Sequence, residues 1–143
     1  MKAMFVLAHE FGKGPVQISD IARRENIPHK FLELILLDMR NKGLVHSKKG
    51  KGGGYLLARD PRQVTLGQIL RAVEGPLAPI PCVSRTAYMA CTECVDERTC
   101  GVRLVMKDVR DATANILDSM TLAGVLQRVE TAANEKPALT YAI

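Results

Sequence analysis

Residues 19–43 read SDIARRENIPHKFLELILLDMRNKG, and the punctuation of this stretch decides the fold. Ser19 is a good helix cap, with Asp20 in the first turn that follows. Ile21 and Ala22 give that helix an inward face. Asn26-Ile27-Pro28 makes a tight turn, and Pro28 suits the first position of the next helix. Phe31, Leu32, Ile35, Leu36 and Met39 then recur at the spacing of one helical face. Gly43 stops this helix as the residue just past its end. Two short helices joined by a tight turn, the second with a polar leading edge, predict a helix-turn-helix over about 18–41.

Working outward, Lys2 to Phe11 carries Met4, Phe5, Leu7, Ala8 and Phe11 at helical spacing, ended by Gly12 and Gly14-Pro15. On the other side, residues 44–58 hold two short strand-like runs around the cationic, glycine-rich tip KKGKGGG at 48–54. This pattern predicts a β-hairpin, the wing of a winged helix. The tip lacks the G-x-x-x-x-G-K-[ST] pattern and no helix start follows it, which argues against a nucleotide-binding loop. Glycines there would let backbone approach DNA while Lys48, Lys49 and Lys51 reach phosphates or the minor groove. Thr65-x-x-Gln68 is a capping box opening a helix whose buried face is Leu66, Ile69, Leu70 and Val73. Gly75-Pro76 terminates it.

Residues 76–100 show no sustained period and contain all four cysteines, as Cys82-x8-Cys91-x2-Cys94-x5-Cys100. From Gly101 to about Met120 runs a helix with the stripe Val102, Val105, Met106, Val109, Ala112, Ile116 and Met120. At 1.5 Å per residue it spans roughly 27 Å, and a helix of that length outside a winged-helix core predicts a dimer interface. Thr121 caps a last short helix with Leu122, Val125, Leu126 and Val129. The expected organisation is a DNA-binding unit over 1–75, a cysteine loop over 76–100, a dimerisation helix and last helix over 101–130, and a flexible tail over 131–143. The fold class is mainly α with a small hairpin wing.

The 143 residues are one domain's worth of chain, and 47% hydrophobic content makes it globular. No apolar run of membrane-spanning length and no signal-like start are present, so the chain reads as cytoplasmic. Thiols stay reduced in that compartment, which favours metal or redox chemistry over a disulfide framework. Aromatic residues are only 4% and Trp is absent, which argues against a stacking platform for single strands. Residues 1–63 hold twelve Lys and Arg against six Asp and Glu, whereas residues 64–143 hold eight against nine. A polyanion would therefore be met by the N-terminal part. On its exposed edge, His29, Lys30 and Glu33 are candidate base or phosphate contacts, since a carboxylate accepts from cytosine's amino group in the major groove. The three histidines, His9, His29 and His46, form no helical metal pair and no nucleophile–base motif appears, so the chain does not read as an enzyme.

The runs Ile18-Ser19-Asp20-Ile21-Ala22, Phe31-Leu32-Glu33, Lys42-Gly43-Leu44-Val45 and above all Gly50-Lys51-Gly52-Gly53-Gly54-Tyr55-Leu56-Leu57 resemble bacterial winged-helix regulators of the Rrf-two type. The turn Ala72-Val73-Glu74-Gly75 leading into a cysteine loop adds to the likeness. The resemblance covers residues 1 to about 130. It implies a homodimer on palindromic operator DNA, with long C-terminal helices crossing between subunits and an iron–sulfur cluster, two-iron or four-iron, on loop cysteines. It also places Glu33 at a base-reading position, and Lys49 where a wing arginine enters the minor groove. Lysine there keeps the charge and loses the planar fork.

Three cysteines separated by five residues each are the familiar pattern. Cys94 and Cys100 match the second and third, while Tyr88 stands where the first is expected, so Cys91 or Cys82 must substitute. Arg103 stands where one subgroup has a histidine ligand. The chain starts about ten residues later than members usually do, so either the first-helix residues that supply a fourth ligand elsewhere are absent or the start is misassigned. Glu93, Asp96 and Glu97 lie between the thiols as further oxygen donors or solvated acids. The expected metal ligands are thus Cys91, Cys94, Cys100 and Cys82. The expected function is DNA binding controlled by a cluster that senses iron, redox state or nitric oxide. The alternatives are a zinc-containing or metal-free thiol regulator, or a metal or redox protein that does not bind DNA.

Overall fold

The computed structural model describes residues 1–135. Among these, six α-helices and one two-stranded antiparallel hairpin follow in the order α1 Lys2–His9, α2 Ile18–Glu25, α3 His29–Asn41, β1 Val45–Lys48, β2 Gly54–Leu57, α4 Leu66–Glu74, α5 Gly101–Ser119 and α6 Leu122–Asn134. Helices α2 and α3 with the hairpin make a winged helix-turn-helix, as the sequence pattern predicts. Short 3₁₀ turns at Pro61–Gln63 and Pro81–Val83 join the larger elements.

Asn26 ends α2 in the left-handed conformation, φ 51°, which asparagine tolerates better than most residues. Pro28 precedes α3 as its N-cap rather than opening it. Ser19 is not a cap either, because α2 begins at Ile18 behind Gln17. The cause is tertiary. Val16 exchanges two 2.8 Å backbone hydrogen bonds with Tyr55 of β2, so the chain leaves an extended pairing and enters the helix early.

The hairpin pairs Val45 with Leu57 and Lys48 with Gly54. Its glycines have a reason inside the fold. A Cβ on Gly53 would overlap the Lys48 carbonyl, and one on Gly54 the Val16 carbonyl. Gly50 and Gly52 take φ of 93° and 76°, a region costly for residues with a Cβ.

One core holds these elements together. Met4 and Leu7 of α1, Ile21 of α2, Leu32, Leu36 and Met39 of α3, Val45, Leu57, Val64, Ile69 of α4 and Leu122 of α6 are buried in a single cluster. On α3 the buried stripe is narrower than expected: Phe31 is 58% exposed. On α4 the expected face is likewise reduced, with Ile69 buried and Val73 exposed. The Thr65–Gln68 capping box is present with both reciprocal hydrogen bonds, and Thr121 caps α6 through the Gly124 amide.

Helix α6 returns to the N-terminal core. Leu66 N–H donates to the Met120 carbonyl and Leu122 N–H to the Val64 carbonyl, each at 2.9 Å. It runs to Asn134, so residues 131–134 are helical where a flexible tail was expected; positions 136–143 of that tail lie outside the described residues. No residue of α5 is buried, and its predicted stripe, including Val102, Val105, Val109 and Ile116, faces outward. No helix among the described residues is long and apolar enough to cross a membrane.

Candidate nucleic-acid interface and cysteine pocket

The first turns of α3 present His29, Lys30 and Glu33 to solvent, because Leu32, Leu36 and Met39 occupy the opposite, buried face. His29 Nδ1 lies 3.3 Å from Glu33 Oε1, one helical turn away. This contact orients the carboxylate along the outer surface of α3. Lys48 ends β1, and Lys49 and Lys51 follow in the hairpin tip, all exposed. Arg40 near the end of α3 donates from Nη1 to Ser47 Oγ of β1 at 3.4 Å, linking helix and wing. The sequence-predicted contact residues therefore fall on two neighbouring elements that a side-chain bond joins.

The four cysteines, scattered over nineteen positions (82–100) of a loop without period, line one open pocket of about 440 Å³ with Ile80, Val95, Val102 and Arg103. Each arrives differently. Cys82 is buried in the Pro81–Val83 turn, Cys91 is exposed, and Cys94 and Cys100 are partly covered. All four are free thiols. Among the described residues no three Cys, His, Asp or Glu side chains stand close enough together for a single metal ion. The convergence is thus on a shared pocket rather than on one point.

Cys100 caps α5, and the backbone N–H groups at the start of that helix face its sulfur without closing a full capping bond. The Arg103 amide, the Cys94 thiol and the Arg103 charge together draw the Cys100 thiol below its ordinary range. Burial, reinforced by the facing Cys100 sulfur, pushes the Cys94 thiol up.

Arg103, which stands in place of one subgroup's histidine ligand, instead holds the loop. Its Nε donates to the Cys82 carbonyl at 3.3 Å and pairs with Glu97 at 3.5 Å. Tyr88, which stands in place of a cysteine, donates its hydroxyl to Glu97. Asp96 accepts from the Arg98 amide at 2.9 Å and pairs with its side chain. Two of the three loop acids are therefore engaged with arginine, and Glu93 remains exposed on the pocket rim.

The loop is strapped to α5 a second time. Arg110 donates to the Val83 carbonyl, and Arg85 pairs with Asp111 at 2.8 Å. Farther along α5, Asp118 accepts a bidentate bond from Arg71 of α4 at 2.6 and 2.9 Å, which holds the Asp118 carboxyl below its usual range. Lys42, just after α3, donates to the Ala72 carbonyl of α4 and pairs with Asp38 at 2.7 Å. Pocket, α5, α4 and α3 are thus contiguous. Sequence reading did not find these arginine straps, because ion pairs across long separations leave no periodic signal.

Comparison with known proteins bears on both regions. A family model described as "Rrf2: Iron-dependent Transcriptional regulator" matches residues 1–128. The chain is 42% identical over 129 residues to an Rrf2-like helix-turn-helix transcriptional regulator from Rhodobacter capsulatus, covering 88% of this chain and 86% of that one. Among solved structures it is similar to CymR, the global cysteine regulator of B. subtilis, with a TM-score of 0.73, 31% identity and 89% of each chain covered. It is also similar to the IscR of T. potens, with a TM-score of 0.71 and 34% identity over 92% of this chain and 82% of that one. These proteins are transcriptional regulators rather than enzymes.

Proposed function

Because this chain belongs to the Rrf2 family of transcriptional regulators, we propose that it is a cytoplasmic, homodimeric operator-binding protein whose grip on DNA is set by an iron–sulfur cluster on its cysteine loop. The observation that carries the cluster reading is the convergence of Cys82, Cys91, Cys94 and Cys100 on one pocket. The donor set fits. Four free thiols surround the space, and the start of α5 with Arg103 supplies the positive environment that an anionic thiolate cluster needs. Cys91, Cys94 and Cys100 would hold it, with Cys82 as the fourth donor. When bound, such a cluster supplies a centre that oxidants, nitric oxide or iron shortage can dismantle.

The remaining roles belong to the chain's own residues. His29, Lys30 and Glu33 of α3 meet base edges and phosphates in the major groove, and Lys48, Lys49 and Lys51 of the wing bind phosphates or the adjacent minor groove. Residues 1–75 form this reading unit. The outward apolar stripe of α5 buries against a second copy, which sets the spacing of two half-sites. Ordering of loop 76–100 is transmitted by the Arg103 and Arg110 straps to α5, and by Arg71–Asp118 to α4 beside α3. The loop thereby biases the dimer between binding-competent and incompetent arrangements.

A second reading has its own support. Cys94 and Cys100 are free thiols that line the same open pocket, and the Arg103 amide draws Cys100 toward thiolate. A peroxide could oxidise this pair to a disulfide, taking up two electrons and leaving as water, so that the loop would act as a metal-free thiol switch. The visible spectrum of anaerobically purified protein, with iron quantification, separates the two. The cluster reading expects colour and iron, both lost in Cys94→Ala and Cys100→Ala. Colourless protein, or colour that survives either substitution, contradicts it.

A further inference from the structure

Helix α3 carries an apolar row on the side turned away from the core. Phe31, Leu34 and Leu37 are 58%, 67% and 41% exposed. At about 100° per residue, Lys30, Leu34, Leu37 and Asn41 share the line opposite the buried Leu32, Leu36 and Met39. Glu33 flanks that line on one side and Phe31 on the other. Leu34 is thus the outermost apolar side chain in the N-terminal half of the helix, the half that meets base edges in helix-turn-helix proteins.

Its surroundings select the occupant. Lys30 lies on the same line, Arg40 stands at the rear and Lys48, Lys49 and Lys51 extend from the wing. A cationic rim around an apolar row suits a polyanion that also offers an apolar group. On the edge of a base pair in the major groove, that group is the thymine C5-methyl. We infer that Leu34, with Phe31 beside it, is a specificity-determining residue that reads thymine methyls next to the base pair addressed by Glu33. The inference rests on the DNA-reading role proposed above and adds to it the base that the apolar row prefers.

The test uses the full chain and a duplex enriched by it from a random-sequence pool. Replacing thymine by uracil within the half-sites removes the methyl group and keeps every hydrogen-bonding group. Each contacted methyl should be worth about fourfold in affinity. Wild type should therefore favour the thymine duplex, whereas Leu34→Ala and Leu34→Gln should bind both duplexes at the weaker level. Both substitutions lie on the surface and should leave the melting curve unchanged. Lys49→Ala should weaken both duplexes by the same factor. Equal wild-type affinity for the two duplexes, or a thymine preference that survives both Leu34 variants, overturns the inference and leaves DNA binding intact. Failure to enrich any duplex, with no salt-dependent binding, overturns the DNA-reading role and this inference with it.

Discussion

Gly67→Ala probes the joint between the winged helix and α5. Gly67 is buried in the first turn of α4, and a Cβ there would collide with Asp118 Oδ1, with Arg71 Nη1 at 2.9 Å and Asp118 Cγ at 3.0 Å. The bidentate Arg71–Asp118 pair occupies the room that an alanine side chain needs. Replacing a helical glycine by alanine favours the helix by about 1 kcal/mol. The displaced pair is 38% and 45% exposed, so after solvent screening it is worth about 1 kcal/mol at most. Two opposing effects of similar size leave Gly67→Ala near neutral in the wild type. In an Asp118→Ala background the carboxylate is gone and the unpaired, flexible end of Arg71 can turn aside, so the same substitution should stabilise by about 1 kcal/mol, or about 3 °C in melting midpoint for a chain of this size. The assay is a double-mutant cycle by thermal and urea denaturation at one protein concentration, since assembly ties stability to concentration. An identical effect in both backgrounds would refute the close approach of α4 and α5 at Gly67. So would a loss above about 2 kcal/mol with Asp118 absent, because then backbone rather than this side chain would be the obstacle.

Three other perturbations address separate parts of the structure. Arg24, with His9 beside it, holds the Glu10 carboxyl at about 2, so its contribution is complete above the unfolded value of about 4.3 and lost as pH falls through about 2. Glu10→Gln should lower the urea midpoint near neutral pH and converge with wild type at the acid end; parallel curves at all pH values would contradict this. Val109→Glu places a charge in the outward stripe of α5 twice in a symmetric dimer, and sedimentation should show dissociation, with affinity between copies down by about a hundredfold. An unchanged dimer would remove α5 from the interface. Changing Lys48, Lys49 and Lys51 together to alanine should flatten the dependence of DNA affinity on salt, by about 0.9 in logarithmic slope for each phosphate no longer neutralised. An unaltered slope would place these lysines away from the backbone.

Local signals carried the winged helix, and tertiary ones escaped. The Thr65–Gln68 box and the Thr121 cap are encoded within four residues and formed as read. Ser19 has the right chemistry for a cap, yet the Val16–Tyr55 bridge moved the helix start upstream of it. Phe31 and Leu32 are adjacent and both apolar, so periodicity could not tell which one the core would take. The core took Leu32, and Phe31 was left on the surface where α3 faces outward. At the cysteine loop, sequence spacing marked the thiols but not their meeting place. A loop without period is shaped by long-range bonds, here Arg103 to the Cys82 carbonyl and Arg110 to the Val83 carbonyl. Those straps bring Cys82, nine positions before Cys91, to the same pocket.

The most direct test of the account compares DNA affinity among three forms of the full chain at one salt concentration: anaerobically purified protein, the same protein stripped by an iron chelator, and Cys94→Ala. If occupancy of the cysteine pocket governs the reading face, the purified and stripped forms should differ on the order of tenfold or more. Cys94→Ala should match the stripped form and no longer respond to the chelator. Equal affinity in all three would contradict the coupling of pocket and DNA.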